Sequence, residues 1–561
     1  MKKNDDSARS AGVTRRAAIS AVAAGGLAAS VGSSVADESS DKDKALDADA
    51  IAQSEWLAGI ELTEDQRAAA ARSVGRMQRK QKQLREIGVG YDTLPCLRFD
   101  PEIGDKSAAI RSLSRPDHLR PVSITVQNAD VTTGEYSFLS IRELGQLLRG
   151  GKVTAVQLAE HCIASLKENN GILKCVVNYT EDLAMQQAKR ADAELANGKD
   201  RGPLHGIPWG AKDLIAVEGY PTTWGAPQFE DQMLPETSTV ANRLADAGAV
   251  LVAKLSLGAL AMGDKWFGGM TRNPWNPHEG SSGSSAGPGS AVAAGLVPFA
   301  IGSETLGSIV SPSRRCGVTG LRPTFGRVSR SGCMALTWSM DKMGPMARSI
   351  DDCGIVFNAI HGADPGDPTA VSRWFDWPVK PDFSQLRIGK VEGSKVSAED
   401  AVTLSTLEEL GATVVPVSLP GKFPEWAISL MLDVEAGTIF HDLVAEQNDE
   451  GLNSWPGTFR TAHFVSAVDF LHASRLRTKL MEAMATVFEE VDLYVGGGDL
   501  GICNLTGHPT VVFPARMSDT DHPQPRCSTM TGKLYDEATL LAVARLVEGR
   551  VNLLGNTPTL P

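Results

Sequence analysis

Several patterns that would announce a function are missing from this 561-residue chain. Its eight cysteines, Cys96, Cys162, Cys175, Cys316, Cys333, Cys353, Cys503 and Cys527, are scattered with no CxxC. That spacing excludes a zinc ribbon or a dithiol redox motif, and the thiols read as buried and free. The histidines, His205, His361 and His508 among them, never fall in HExxH or another ligand spacing, so neither a metal nor another cofactor is expected. Positive charge is in deficit: 55 Lys and Arg stand against 67 Asp and Glu, a net charge of −12 with a pI near 5.4. Such a balance argues against nucleic acid or an anionic membrane as the main partner. No internal repeat is visible. What is present is ordinary for a globular protein, with 42% apolar and 22% charged residues, and the length allows several domains around at least one large core.

Residues 1–36 stand apart. "TRRAAISAVAAGGLAASVGSSVA" pairs Arg15 with Arg16, continues in Ala and Gly, and ends in Ser34-Val35-Ala36. It resembles a twin-arginine export signal, which implies a folded protein carried to the bacterial periplasm. The stretch is too short and too rich in Gly and Ser for a membrane span. It carries a net charge of +3, so its removal would leave the rest at −15. Residues 37–62 read as a charged linker. Residues 63–130 read as a helix capped by Thr63 and Gln66 and stopped at Gly88, followed by a proline-rich extended arm. From 131 to 561 the chain is regular. "SIRELGQLLRGGKVTAVQLAEHCIASLKENN" has helical periodicity broken by glycine, and "CVVNYT" and "AVLVAKL" read as short buried strands. Strands alternating with helices predict an α/β sheet.

"HEGSSGSSAGPGSAVAAG", residues 278–295, raises the question of a nucleophile. Gly283-Ser284-Ser285-Ala286-Gly287 fits the GxSxG elbow with Ser285 as nucleophile. The context fails, because "NPWNPHEGSSG" has prolines, asparagines and glycines where a feeding strand is required. The run reads as a glycine-rich loop before a helix, and "LVPFAIGSE" as the strand after it.

The longer pattern is more specific. "GSSGSSAGPGSAVAAGLVPFAIGSETLGSIVSPSRRCGVTGLRPTFGRVSRSG" resembles the signature block of the amidase signature family. "GPLHGIPWGAKDLIAVEGYPTTWG" resembles its lysine segment, and "GGMTRNPWNP", "SMDKMGPMARSIDD" and "NLTGHPTVVFP" follow in family order from about residue 137 onward. The resemblance implies a central mixed, mainly parallel sheet flanked by helices on both faces. It implies a Ser-cisSer-Lys triad: Lys212 as base, Ser284 as middle serine on a cis Gly283–Ser284 peptide, and Ser308 as nucleophile. Gly283 and Ser285 support the loop, and the backbone N–H groups of Thr305, Leu306 and Gly307 form the oxyanion hole. The implied reaction is hydrolysis of a carboxamide through an acyl-enzyme. The same site on an ester or urethane, and the A subunit of a tRNA-dependent amidotransferase, are the alternatives.

The chemistry explains the residue types. A serine hydroxyl must lose its proton to attack. A lysine can take that proton only when neutral, which means lowering a reference pKa of about 10.4 by about three units, a shift that burial supplies. Ile207, Pro208, Trp209, Leu214 and Ile215 flank Lys212 with apolar surface. Three departures from the family bear on substrate and efficiency: Leu306 for the first Gly of GGS, Val310 for an Arg, and Glu304 for an Asp. The span 360–500 is the least family-like and is expected to build the substrate pocket. Its aromatics Trp374, Trp377, Trp426, Phe440, Trp455 and Phe464 read as core first and pocket second. Gly496-Gly497-Gly498 reads as a pocket-side turn, and the sequons at Asn178 and Asn504 as chance. The expected partners are a small-molecule amide and, as an option, a second copy in a homodimer, with no nucleic acid and no membrane span once the signal is gone.

Overall fold

The computed structural model describes residues 47–58, 63–65, 67, 68, 71, 101, 115–124 and 135–560, apart from 394, 447, 463, 464 and 521. The expected export signal and Cys96 lie outside the described residues, as does nearly all of the helix expected between Thr63 and Gly88. The chain divides into two compact units, Met1–Ile87 and Gly88–Pro561. In the first, Ala48–Ala58 is helical although it falls in the span expected to be linker. Arg67 closes a bidentate pair on Glu55, both bonds at 2.8 Å.

The second unit is built on an 11-stranded sheet. Its strands in chain order are β1 (Val176–Tyr179), β2 (Pro208–Lys212), β3 (Val250–Leu255), β4 (Phe299–Glu304), β5 (Thr319–Arg322), β6 (Lys342–Ala347), β7 (Arg387–Val391), β8 (Thr413–Val417), β9 (Leu493–Val495), β10 (Thr510–Met517) and β11 (Pro525–Gly532). Across the sheet they run β8-β7-β9-β11-β10-β5-β6-β4-β2-β3-β1. Parallel pairing is confined to two blocks, β4-β2-β3 and β8-β7-β9. The pairs between the blocks, and β1 with β3, are antiparallel. The sheet is therefore mixed, as expected, but parallel pairing does not prevail. Among the described residues, the stretches joining β5 to β6 and β10 to β11 hold no helix, as antiparallel neighbours allow.

Strands β2, β3, β4 and β6 are buried along their whole length. Burial of successive residues means that both faces are covered, which is why these segments read as apolar runs rather than alternating ones. The covering helices follow the sequence signals. Ile141–Arg149 and Ala155–Leu173 each open on a complete capping box, Ser140 with Glu143 and Thr154 with Gln157, and Gly150 and Gly151 separate them. The described cysteines are all buried free thiols. Just before the serine run, Asn276–Gly280 forms a short strand paired with Arg272–Asn273, where sequence composition predicted only loop. This two-stranded ribbon is separate from the main sheet, so no central strand feeds Ser285.

Candidate active site

Lys212 is the last residue of β2, at the carboxyl end of the parallel block, where α/β sheets open toward ligands. Its side chain is fully buried. The Nζ contacts Ser284 Oγ at 2.8 Å, Ser303 Oγ at 2.9 Å, Ser285 Oγ at 3.1 Å and the Ser303 carbonyl oxygen at 3.3 Å. Burial lowers the ammonium pKa to about 7, while the carboxylates of Asp341 and Glu304 pull the other way. Lys254, on the neighbouring strand β3, is committed to Asp213 at 2.7 Å in a fully buried pair.

The serine loop is shaped to reach that amine. The Gly283–Ser284 peptide is cis, as the resemblance implied. A Cβ on Gly283 would lie 1.8 Å from the Gly263 carbonyl oxygen, so no larger residue fits there. Ser285 opens the helix Ala286–Ala293. Its hydroxyl donates to the Ser303 carbonyl at 3.1 Å and accepts from the Ser303 N–H at 3.1 Å and from Lys212 Nζ. One proton and two lone pairs are thereby used. A hydroxyl so occupied has nothing left for a substrate, which counts against the elbow reading of Ser285.

Ser308 sits in the turn between β4 and the helix Val310–Cys316, at 9% exposure. Its carbonyl accepts the Ser285 N–H at 3.1 Å, joining the two serine loops. Among the described residues the Ser284 and Ser308 hydroxyls make no direct hydrogen bond, a looseness common in sites without substrate. The N–H groups of Thr305, Leu306 and Gly307 line the same turn, and among the described residues none donates to a protein acceptor. Gly307 takes the left-handed conformation at φ 84°. Leu306 is thus spared it and turns its side chain outward, 41% exposed. The departure from glycine costs the turn nothing in backbone geometry.

The turn is held by residues to which the sequence reading gave no supporting part. Glu304 Oε2 accepts the N–H groups of Ile309 at 2.8 Å and Val310 at 2.9 Å, while Oε1 accepts from Arg322 at 2.9 Å and Asn504 at 2.8 Å. Burial would raise this carboxyl, but Arg322, the Val310 N–H and Asn504 outweigh it and hold it at about 2. Asp341 accepts from Thr305 Oγ1 at 2.5 Å and from the Leu336 and Thr337 N–H groups at 2.7 and 3.0 Å. The available signal was polarity at the carboxyl ends of buried strands, in "FAIGSE" for Ser303 and Glu304 and "TGLR" for Arg322. Asn504, read from sequence as a chance sequon, is fully buried.

A cavity of about 330 Å³ opens onto Ser303 and Thr305. Most of its wall comes from between Arg330 and Met343, and Leu214, Glu236 and Ala261 also line it. Among the described residues of the span 360–500, expected to build the pocket, only Gly366 and Asp367 line it. Phe440 and Trp455 are core residues, Trp374 and Trp377 pack beside Leu119 and Val379, and Trp426 is exposed to solvent. Phe464 lies outside the described residues. The cavity's aromatic is Trp338. His205 lies buried beside Glu194, His361 packs on Phe357 and Phe375, and His508 bonds Thr506 at 2.8 Å.

Residues 157–496 match the family model described as Amidase. The A subunit of glutamyl-tRNA(Gln) amidotransferase from Chloroflexus aurantiacus is 33% identical over 471 residues, covering 73% of this chain and 96% of that protein. The X-ray structure of a peptide amidase from Stenotrophomonas maltophilia superposes with a TM-score of 0.67 at 26% identity, over 76% of this chain and 99% of that one. A bacterial aryl acylamidase shares the fold at 21% identity, with a TM-score of 0.65 over 75% of this chain and 97% of that one. The chain belongs to the amidase signature family, whose hydrolases act on carbon–nitrogen bonds.

Proposed function

We propose that this protein is an exported serine amide hydrolase that cleaves a small carboxamide through an acyl-enzyme on Ser308. The observation that carries the reading is a lysine amine sealed from solvent among three serine hydroxyls, beside the Ser308 turn. Ser308 Oγ attacks the amide carbon and passes its proton to Ser284, whose own proton moves to the Lys212 lone pair. The N–H groups of Thr305, Leu306 and Gly307 receive the oxyanion, a contribution that typically reaches roughly 100- to 1000-fold per donor. Collapse breaks the C–N bond, and Lys212 returns the proton through Ser284 so that the nitrogen leaves as a neutral amine. Water then attacks the Ser308 ester by the same path, releasing the acid and the free serine.

The likeness to an amidotransferase A subunit favours a second reading, transfer of amide ammonia to a partner enzyme. The twin-arginine-like segment and the acidic net charge of −12 weigh against it, since that reading requires a partner that works on tRNA. A screen of aryl amides, peptide amides, fatty amides, carbamates and esters, run on the purified chain alone, tests the proposal. Release of ammonia or amine from an amide, abolished in Ser308→Ala, is the expected result. Turnover of esters alone, or a requirement for added partner subunits, would displace it.

A further inference from the structure

The cavity beside the site carries its charge unevenly. Among the described residues, three carboxylates line it, from Glu236, Asp341 and Asp367, against a single guanidinium, Arg330. That guanidinium is already engaged. Its Nε and Nη2 hold Asp367 at 3.1 and 3.4 Å, Nη2 also donates to Thr369 Oγ1 at 2.9 Å, and Nη1 donates to the Trp338 carbonyl at 2.6 Å. Four of its five N–H donors are spent, and a bidentate carboxylate cancels its charge. Asp341 is different, because the groups that donate to it are neutral backbone amides and threonine hydroxyls. Its charge therefore acts on the cavity without a cation bonded against it.

The nucleophile loop does not redress the balance. Val310, two residues past Ser308, is fully buried and packs with Val512 and Cys527, so it offers no charge. Leu214, Met334, Leu336 and Trp338 supply the apolar part of the wall, and Ser303, Thr305 and Ser331 supply neutral hydroxyls beside them. A volume of about 330 Å³ is at the small end of ligand pockets. A substrate anion placed there would also raise the proton affinity of Lys212, which the carboxylates of Asp341 and Glu304 already raise.

We infer that the site selects compact neutral or cationic carboxamides, with an apolar or aryl group, and rejects amides that carry a carboxylate beside the scissile bond. The inference rests on the proposed hydrolase reading and adds the charge of its substrate.

Three amides that differ only at the α-carbon test it: 3-phenylpropanamide, L-phenylalaninamide and 2-benzylmalonamic acid, bearing hydrogen, an ammonium group and a carboxylate. Their kcat/KM is measured on the full chain at neutral pH and low salt. Their binding to the Ser308→Ala variant is measured in parallel by calorimetry. The neutral and cationic amides are expected to exceed the anionic one by about tenfold or more in both, the scale of a like-charge contact in a partly desolvated site. Equal or better use of the anionic amide overturns the inference, and so does failure of all three to bind. If none is cleaved but the binding order holds, the charge selection stands and the hydrolase reading alone falls.

Discussion

Replacing Lys212 by methionine separates what the lysine does for catalysis from what it does to stability. The folded-state pKa of about 7 lies below the ordinary value of 10.5. Between those two values the unfolded chain binds a proton that the native state does not, so native stability rises with pH across that window. Below pH 7 the full difference opposes folding, on the order of 5 kcal/mol. Methionine has similar length and no such cost. It leaves the Ser284, Ser285 and Ser303 hydroxyls each short of one partner, about 1 kcal/mol apiece. The variant should therefore be more stable than the parent near pH 7, by roughly 2 kcal/mol. The gain should vanish or reverse as pH approaches 10.5. Urea unfolding followed by tryptophan fluorescence at a series of pH values reads the difference, and turnover should be lost throughout. A stability difference that does not change between pH 7 and 10.5 would refute the neutral-lysine argument, because it would mean that Lys212 titrates alike in both states.

Three further outcomes follow from the sequence and the geometry. The pH–rate profile of kcat/KM should rise through an apparent pKa of about 7 and then level off; a profile flat across neutrality would remove Lys212 as the base. A fluorophosphonate probe should tag Ser308, with Ser308→Ala losing both tag and turnover, Ser284→Ala keeping a slow residual reaction, and Ser285→Ala affected least. Mass spectrometry that found the tag on Ser285 would reverse the assignment. Protein recovered from a bacterial periplasm should begin near Asp37, and an intact Met1 terminus there would count against export.

The elements legible in the sequence share one property: their signal is local. The helical periodicity on either side of Gly150 and Gly151, the glycine breaks themselves, and the apolar runs of β3 and β4 are decided within a few residues of one another. Lys212, Ser284 and Ser308 were legible for another reason, the long motif that carries them. Pair contacts between distant segments left no such mark. Arg322 meets Glu304 across 18 residues and Asn504 meets it across 200. Neither partner type looks unusual in its own neighbourhood. The pocket was misplaced by the same limit. Departure from the family pattern pointed to 360–500, whereas the wall is built by the well-matched stretch that returns along β6. Sheet direction was equally hidden, because a fully buried strand is apolar on both faces whichever way its neighbour runs.

The departures at Glu304 and Val310 are best understood together, through the charge around the nucleophile turn. Glu304 is buried, yet it is used twice, as the anion opposite Arg322 and as the acceptor for the first N–H groups of the helix behind Ser308. A carboxylate at a helix N-terminus is stabilised by the dipole as well as by its hydrogen bonds. Its net effect on Ser308 is positional, and its charge is answered locally. With Val310 in place of an arginine, no second cation from that position competes for the carboxylate or reaches toward the substrate. Glu304→Gln tests the balance. It keeps the side chain's length but leaves Arg322 buried without its counter-charge, a change that typically costs about 3–5 kcal/mol. The variant should unfold at markedly lower urea, and any folded fraction should show reduced kcat with little change in KM, since the turn and not the pocket is disturbed. Unchanged stability would mean that the Arg322 charge is carried elsewhere, and a change confined to KM would place Glu304 in substrate binding instead of in the support of Ser308.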